Sequence, residues 1–290
     1  LPQMQIHLAH CLMLKDQAII SPDVARQILN ELLVVLDSNP SVVTPNYLDL
    51  EKHLVSILGA DIAGQLHTAR SRNDLTVTVW RMVLRDLLLE VRSAVNTLRE
   101  TALDLAVEHA ETVMPGYTHS QHAQPITLGY YLAAFADVLA RDSRRLEAAY
   151  RTCNHSPLGA AALTTTGFPI DRHATAKRLG FAGLMENGLD AVGSRDDAEE
   201  AASAIGILGV HLARTAEDLF TWHTFEFGFI QFGARHTGGS SIMPQKRNPG
   251  LLEIIKREAG FLIGASTQTL ASARGRQAVA PRVRLRHQLS

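Results

Sequence analysis

The sequence predicts an all-α protein, an elongated bundle of long helices, and three observations carry that prediction. An apolar stripe at helical spacing runs unbroken from about Asp74 to Val113. Later segments starting near Ile126, Ser194 and Pro249 repeat the pattern over several turns each. Period-2 alternation is almost absent, and Phe225–Phe232 is the one stretch with even a weak strand pattern.

Taken in order, the first helix signal is Ser21-Pro22-Asp23, which supplies an N-cap, a proline at the first helical position and an acid in the first turn. Val24, Ile28, Leu32 and Val35 follow at helical spacing. The long stripe comes next, with Val79, Val83, Leu84, Leu87, Leu88, Val91, Val95, Leu98, Ala102 and Leu105, and Pro115-Gly116 ends it. At about 1.5 Å per residue such a helix spans roughly 50 Å, a length usual in elongated bundles. Leu128, Tyr131, Leu132, Phe135, Val138, Leu139 and Leu146 mark a helix from about Ile126 to Tyr150. Ser194 reads as the N-cap of the next, with Asp196, Asp197, Glu199 and Glu200 on the positive end of its dipole. The last begins after Pro249 and carries Leu252, Ile255, Ala259 and Leu262. Residues 1–69 are expected to form an N-terminal helical domain and 70–290 a central bundle.

Composition removes several classes of function. With 28 basic and 29 acidic residues the formal net charge is −1, so no global field draws the chain to nucleic acid or an anionic membrane. Asp137 and Arg141 interrupt the best membrane-span candidate, and Leu1–Ile6 lacks a signal-peptide pattern. Cys11 and Cys153 are the only cysteines, which excludes a disulfide scaffold or a cysteine zinc module and suggests the cytoplasm. The run from Arg274 to Ser290 holds five arginines and no acid, and reads as a solvated or truncated end rather than a nucleic-acid arm.

Three irregular segments at helix ends share one chemistry. They are Gln65–Asp74, Pro115–His122 and Thr237–Pro249, each rich in hydroxyl, amide, imidazole or cationic donors and nearly free of acids. Donors gathered near helix N-termini suit an anion, and the planar forks of Arg70 and Arg72 suit a carboxylate or phosphate. Surface ion pairs are the plainer reading of those arginines, and a flexible linker that of Gly238-Gly239-Ser240-Ser241. The pairs His119/His122 and His7/His10 lack a third ligand at matching spacing, so no metal is expected. Neither a Walker loop nor a strand-borne GxGxxG is present. The residues alone give an anion site on a mobile Gly-Gly-Ser-Ser loop, without naming a reaction.

Gly239-Ser240-Ser241-Ile242-Met243-Pro244-Gln245-Lys246-Arg247-Asn248-Pro249 resembles the signature loop of the fumarase/aspartase superfamily. His67–Asp74 and Gly116–Gln121 resemble its two other characteristic regions, in the form found in argininosuccinate lyases. The resemblance runs over nearly the whole chain, in family order and at family-like separations. It implies cleavage of a C–N bond in an N-substituted aspartate with release of fumarate, argininosuccinate being the first substrate to consider. Ser240 would be the base. Lys246 and Asn248 would bind the carboxylate that takes up charge. His119 would be the acid that protonates the departing nitrogen, with Glu253 as its paired carboxylate. Arg72, Asn73 and Thr118 match positions that hold the substrate's carboxylates, and Ser71 and Gln121 are further candidates. The resemblance also implies a homotetramer whose sites draw on three subunits, with no cofactor.

Departures from the family pattern fall on Ala69, Leu75, Ser120, His122 and Gly250, and a histidine of the argininosuccinate lyases aligns on or near Tyr47. They alter the substrate's surroundings more than the chemistry. A lyase for another N-substituted aspartate, such as an aminopolycarboxylate, therefore stays open, as does a non-catalytic, crystallin-like relative. Members of the family are much longer, so the chain is expected to be a truncated piece.

Overall fold

The computed structural model describes residues 2–38 and 47–273; the arginine-rich run from Arg274 and the side chain of Tyr47 lie outside what it describes. Ten α-helices dominate the described residues, in line with the all-α expectation. Their contacts divide them into two compact units, 2–87 with 151–197, and 88–150 with 198–273.

The first unit is built on α1 (Pro2–Asp16), α2 (Pro22–Ser38), α3 (Tyr47–Leu58) and the short α4 (Ala60–Ala63). The Ser21 hydroxyl caps α2 as expected, accepting from Val24 N–H at 3.2 Å. Met4, Leu14, Ile28, Leu32, Leu50, Leu54 and Leu66 form one core. Ile6 and Ala9 join Leu75, Met82, Leu158, Leu179 and Phe181 in a second. Cys11 and Cys153 are both buried and free. Burial pushes their thiols up, to about 11 and about 12, so neither is a poised nucleophile.

The long helix α5 (Arg72–Glu108) starts in this unit with a capping box. Ser71 Oγ accepts from Asn73 N–H at 3.2 Å, and Asp74 Oδ1 accepts from Ser71 N–H at 3.0 Å. Asp74 is fully buried, and its other oxygen accepts from Gly159 and Ala161 N–H at 3.0 Å each. One carboxylate thus fixes both the start of α5 and the loop after β3 (His155–Ser156). That strand pairs in parallel with β4 (Gly183–Leu184), and α7 (Arg172–Arg178) and α8 (Gly188–Gly193) complete the unit.

His7 and His10 of α1 are almost entirely buried. Burial, then the Arg70 guanidinium, lowers the affinity of both for a proton, His10 to about 3 against 6.5 for a free imidazole. A base with a depressed native pKa leaves stability intact above 6.5, and that stability is lost as pH falls from there toward 3. Each such histidine contributes a slope of up to about 1.4 kcal/mol per pH unit. Denaturant titrations of the full-length protein should show stability falling as pH drops below 6.5. His10→Gln should flatten that slope, and an unchanged slope would remove His10 from the acid response.

In the second unit α5 continues beside α6 (Leu128–Cys153), α9 (Asp196–Trp222) and α10 (Gly250–Ala273). Arg92 of α5 meets Ser143 and Glu147, while the far end of α5 meets Gly129, so these two helices run antiparallel. Tyr131 bonds Asp218 and Asp142 bonds His211, which sets α6 antiparallel to α9. Gly206 faces Ser266 and Glu217 pairs with Lys256, which sets α9 antiparallel to α10. Glycine is needed where helices touch: a Cβ on Gly129 would come 2.4 Å from the Ala106 carbonyl oxygen. Leu98, Leu105, Val107, Ile207, Val210, Leu251, Ile254, Phe261 and Leu270 remain exposed on these helices.

The sequence reading is corrected at three places. β1 (Val113–Thr118) and β2 (Gln121–Thr127) form an antiparallel hairpin where a helix end and a loop were expected. Neither strand has a buried face, so no alternation is imposed on its sequence. Phe225–Phe232 is a chain of turns rather than a strand, with Gly228 N–H donating to Thr224 and Phe229 N–H to Trp222. Ser194 closes α8, and its hydroxyl donates to Asp196 at 2.8 Å instead of capping α9.

Candidate active site

The first donor-rich segment lies in the first unit, and its backbone is held from two sides. His10 Nε2–H donates to the Thr68 carbonyl at 3.0 Å, and the Asp74 carboxylate takes Ser71 N–H. Between them Ala69 sits at φ 61°, a left-handed conformation that glycine adopts more cheaply. Arg70 turns inward, only 7% exposed, beside His7, His10 and His67. Burial first, and then its charge, lowers the affinity of all three imidazoles for a proton. Arg72 is exposed at the first turn of α5 and free to meet an anion. Asn73 donates from its amide to the Ala162 carbonyl at 3.1 Å, which ties one end of the side chain to the loop after β3. Ser71 spends its hydroxyl on the N-cap.

The sequence reading passed over that neighbouring loop. Gly159, Ala161 and Thr165 all have positive φ, at 87°, 52° and 66°. A β-branched threonine in that region is uncommon and marks a backbone held in place by its surroundings. Pro157-Leu158-Gly159 was the one local turn signal the sequence offered there.

The second segment is the tip of the β1–β2 hairpin, in the second unit. Thr118 and Gln121 are the last cross-strand pair, so His119 and Ser120 form a two-residue turn. Both have left-handed φ, 51° and 58°, which is what a type I′ turn requires and what glycine or asparagine usually supplies. The imidazole of His119 therefore stands on a strained, exposed turn, with Thr118 and Gln121 exposed beside it. His122 is engaged differently: its Nε2 lies 3.2 Å from Tyr117 Oη, and the two rings meet tilted at 47° with centroids 5.1 Å apart. Tyr117 in turn packs against Phe227 and Phe229, at 6.0 and 6.5 Å between centroids.

The third segment is a loop closed at its neck. Gly238 N–H donates to Asn248 O at 2.7 Å, and Asn248 N–H donates back to Gly238 O at 2.9 Å. The loop between them carries Ser240, Ser241 and Lys246, and it has no buried residue. Ser240 Oγ accepts the Met243 backbone N–H at 3.2 Å. Lys246 is exposed, and its own N–H donates to Met243 O at 3.1 Å. Pro249 leads straight into α10, whose first turn holds an exposed Glu253. Among the described residues no hydrogen bond or ion pair joins His119, Ser240, Lys246 and Glu253 to one another. Among those residues, too, no three His, Cys, Asp or Glu side chains gather as a ligand set for a metal ion, and no helix is long and apolar enough to cross a membrane.

Each of these segments offers donors suited to an anion. A hydroxyl already receiving an N–H, a lysine on the same loop and a helix N-terminus behind them would stabilise an alkoxide and a carboxylate gaining charge. Comparison with known proteins gives the arrangement a family. A model described as "Lyase" matches residues 24–264. The chain is 45% identical over 275 residues to argininosuccinate lyase 1 of Shouchella clausii, covering 92% of this chain and 55% of the relative. It is 42% identical to argininosuccinate lyase of Methanococcoides burtonii, again over 92% of this chain and 55% of the relative. The structure of EDDS lyase in complex with formate superposes with a TM-score of 0.92 at 37% identity, covering 97% of this chain and 56% of that one. The chain thus spans about half the length of the relatives it matches. With its signature loop, its long helices and this likeness along almost its whole length, the chain belongs to the lyase family, as an argininosuccinate lyase-like member of the fumarase/aspartase superfamily.

Proposed function

We propose that the full-length protein is a carbon–nitrogen lyase that splits argininosuccinate into arginine and fumarate by anti β-elimination. The observation that carries this reading is the signature loop itself, with Ser240 Oγ on the Met243 N–H and Lys246 and Asn248 on the same closed loop. Ser240, as alkoxide, takes the proton from the carbon beside a carboxylate. The electron pair left behind spreads into that carboxylate, and Lys246, Asn248 and loop N–H groups stabilise the doubly charged group. The pair then forms the C=C bond of fumarate as the C–N bond breaks, and His119 gives its proton to the departing nitrogen. Arg72, Asn73 and Thr118 hold the substrate's carboxylates, with Gln121 and Ser71 as neighbours. Ser71 can contribute only what its capping bond leaves over.

His119 and Glu253 are unpaired with one another within one chain, and broad apolar faces stay exposed on α5, α9 and α10. Both features fit a homotetramer in which several subunits complete each site and in which those faces are buried. A small dicarboxylate is the only ligand the reading needs, with no cofactor, nucleic acid or membrane, and the compartment is the cytoplasm. A second reading, a lyase for another N-substituted aspartate, draws on the likeness to EDDS lyase, a variant of which has been solved with bound fumarate. The changed residues Ser120, His122 and Gly250 favour it too. A crystallin-like role without catalysis is disfavoured because every residue of the proposed proton path is present.

The test is turnover of the full-length protein with a panel of N-substituted aspartates, following fumarate by its ultraviolet absorbance, alongside sedimentation. Argininosuccinate should be the best substrate and the active species a tetramer. Higher kcat/KM for an aminopolycarboxylate would select the second reading, and an active monomer would remove the shared site.

A further inference from the structure

We infer that His223 is a positioning residue for the elimination, a clasp between the end of α9 and the signature loop; the inference rests on the lyase reading for its catalytic consequence. His223 directly follows the last residue of α9, and its backbone N–H still donates to Leu219 O at 3.1 Å. Its ring reaches across two other segments. Nδ1 lies 3.3 Å from the Ile230 carbonyl oxygen and Nε2 lies 3.2 Å from the Arg247 carbonyl oxygen. The ring edge packs on Phe232 at 5.2 Å.

Carbonyl oxygens only accept. A neutral imidazole has one N–H and can serve one of them, whereas the imidazolium donates to both. The position of the second carbonyl gives the pair its meaning. The Arg247 carbonyl belongs to the peptide leading into Asn248, whose N–H closes the loop neck on Gly238. Lys246 and Asn248, the residues proposed to hold the carboxylate that gains charge, flank the point where the ring takes hold. The ring's other carbonyl, that of Ile230, belongs to the aromatic turn, which is also held by Ile230 N–H and Phe229 N–H donating to Trp222 O.

Charged or titratable side chains on the surrounding elements are Glu217 and Asp218 on α9, Glu226 in the aromatic turn, Arg235 and His236 in the 3₁₀ turn before the loop, and Lys246 and Arg247 in the loop. None of them bonds the ring, since both nitrogens are taken by carbonyls. Glu217 is occupied by Lys256, Asp218 by Tyr131, and Arg235 donates to His236. The ring therefore joins main-chain carbonyls on two segments and no side chain.

The experiment compares the full-length wild type with His223→Phe, which keeps the ring against Phe232 without its donors, and with His223→Gln, which can reach one carbonyl. His223→Phe should raise KM and lower kcat/KM by roughly tenfold to a hundredfold, because Lys246 and Asn248 lose their frame. His223→Gln should recover part of the loss. Hydrogen exchange over 238–248 should be faster in His223→Phe than in wild type at neutral pH. A wild-type KM and kcat/KM in His223→Phe would overturn the inference. Should the wild type turn over no N-substituted aspartate, the lyase reading fails, and the exchange measurement alone decides the clasp: protection unchanged by His223→Phe would overturn it.

Discussion

Ser240→Ala should lower turnover of the full-length protein by roughly 10²–10⁴-fold while leaving substrate affinity nearly unchanged. A serine hydroxyl is a poor base, so its use depends on how far its surroundings favour the alkoxide. The Met243 N–H is already directed at Oγ at 3.2 Å, and Lys246 shares the loop. Closing the loop over substrate would exclude water and strengthen both effects, since each acts in a lower local dielectric. Ordering of 233–248 on fumarate binding is therefore expected. The substitution is clean because the loop keeps its neck: the two bonds between Gly238 and Asn248 are main-chain bonds that the mutation does not touch. A group that acts only in the transition state shows its loss in kcat and not in KM. A tenth or more of the wild-type rate in Ser240→Ala would take Ser240 out of the mechanism, with Ser241 as the next candidate.

The helices were readable because burial writes itself into their sequence. α5 and α10 show their apolar periodicity and their start signals, and the structure begins them within a few residues of the expected places. The capping box could be read in outline from Ser71-x-x-Asp74, but not the second use of that aspartate. Gly159 and Ala161 lie far away in sequence, and no local pattern announces that their N–H groups end on Asp74. The hairpin was hidden for the opposite reason. Its strands have no buried side, Pro115 and Gly116 read as breakers, and its turn uses His119 and Ser120 where turn chemistry predicts asparagine or glycine. A local rule broken at a residue the resemblance marks as the acid is what a functional site looks like from sequence. His223 gave no signal at all, because one imidazole after a helix is unremarkable until the carbonyls on either side of it are known.

His119→Asn should cost far more with a substrate whose amine leaves poorly than with one whose leaving group is activated. The departing nitrogen carries developing negative charge unless it is protonated as the C–N bond breaks, and a group that bears charge well needs that proton less. Asparagine is the right replacement because it tolerates the left-handed backbone at φ 51° and cannot donate a proton as an acid, so the turn survives while the chemistry is removed. If Glu253 of another copy pairs with His119, as the proposed tetramer would allow, it would orient the ring toward the leaving nitrogen. His122 offers the internal control. It sits on the paired strand with its ring against Tyr117, rather than at the end of a turn. His122→Asn should change turnover little, with some effect on affinity through the packing of Tyr117. Measured over a series of leaving groups, log kcat for His119→Asn should depend steeply on amine basicity, while wild type and His122→Asn stay shallow. Equal losses in the two variants, or a His119→Asn deficit blind to leaving-group basicity, would mean that the proton comes from elsewhere, such as a water held in the closed site.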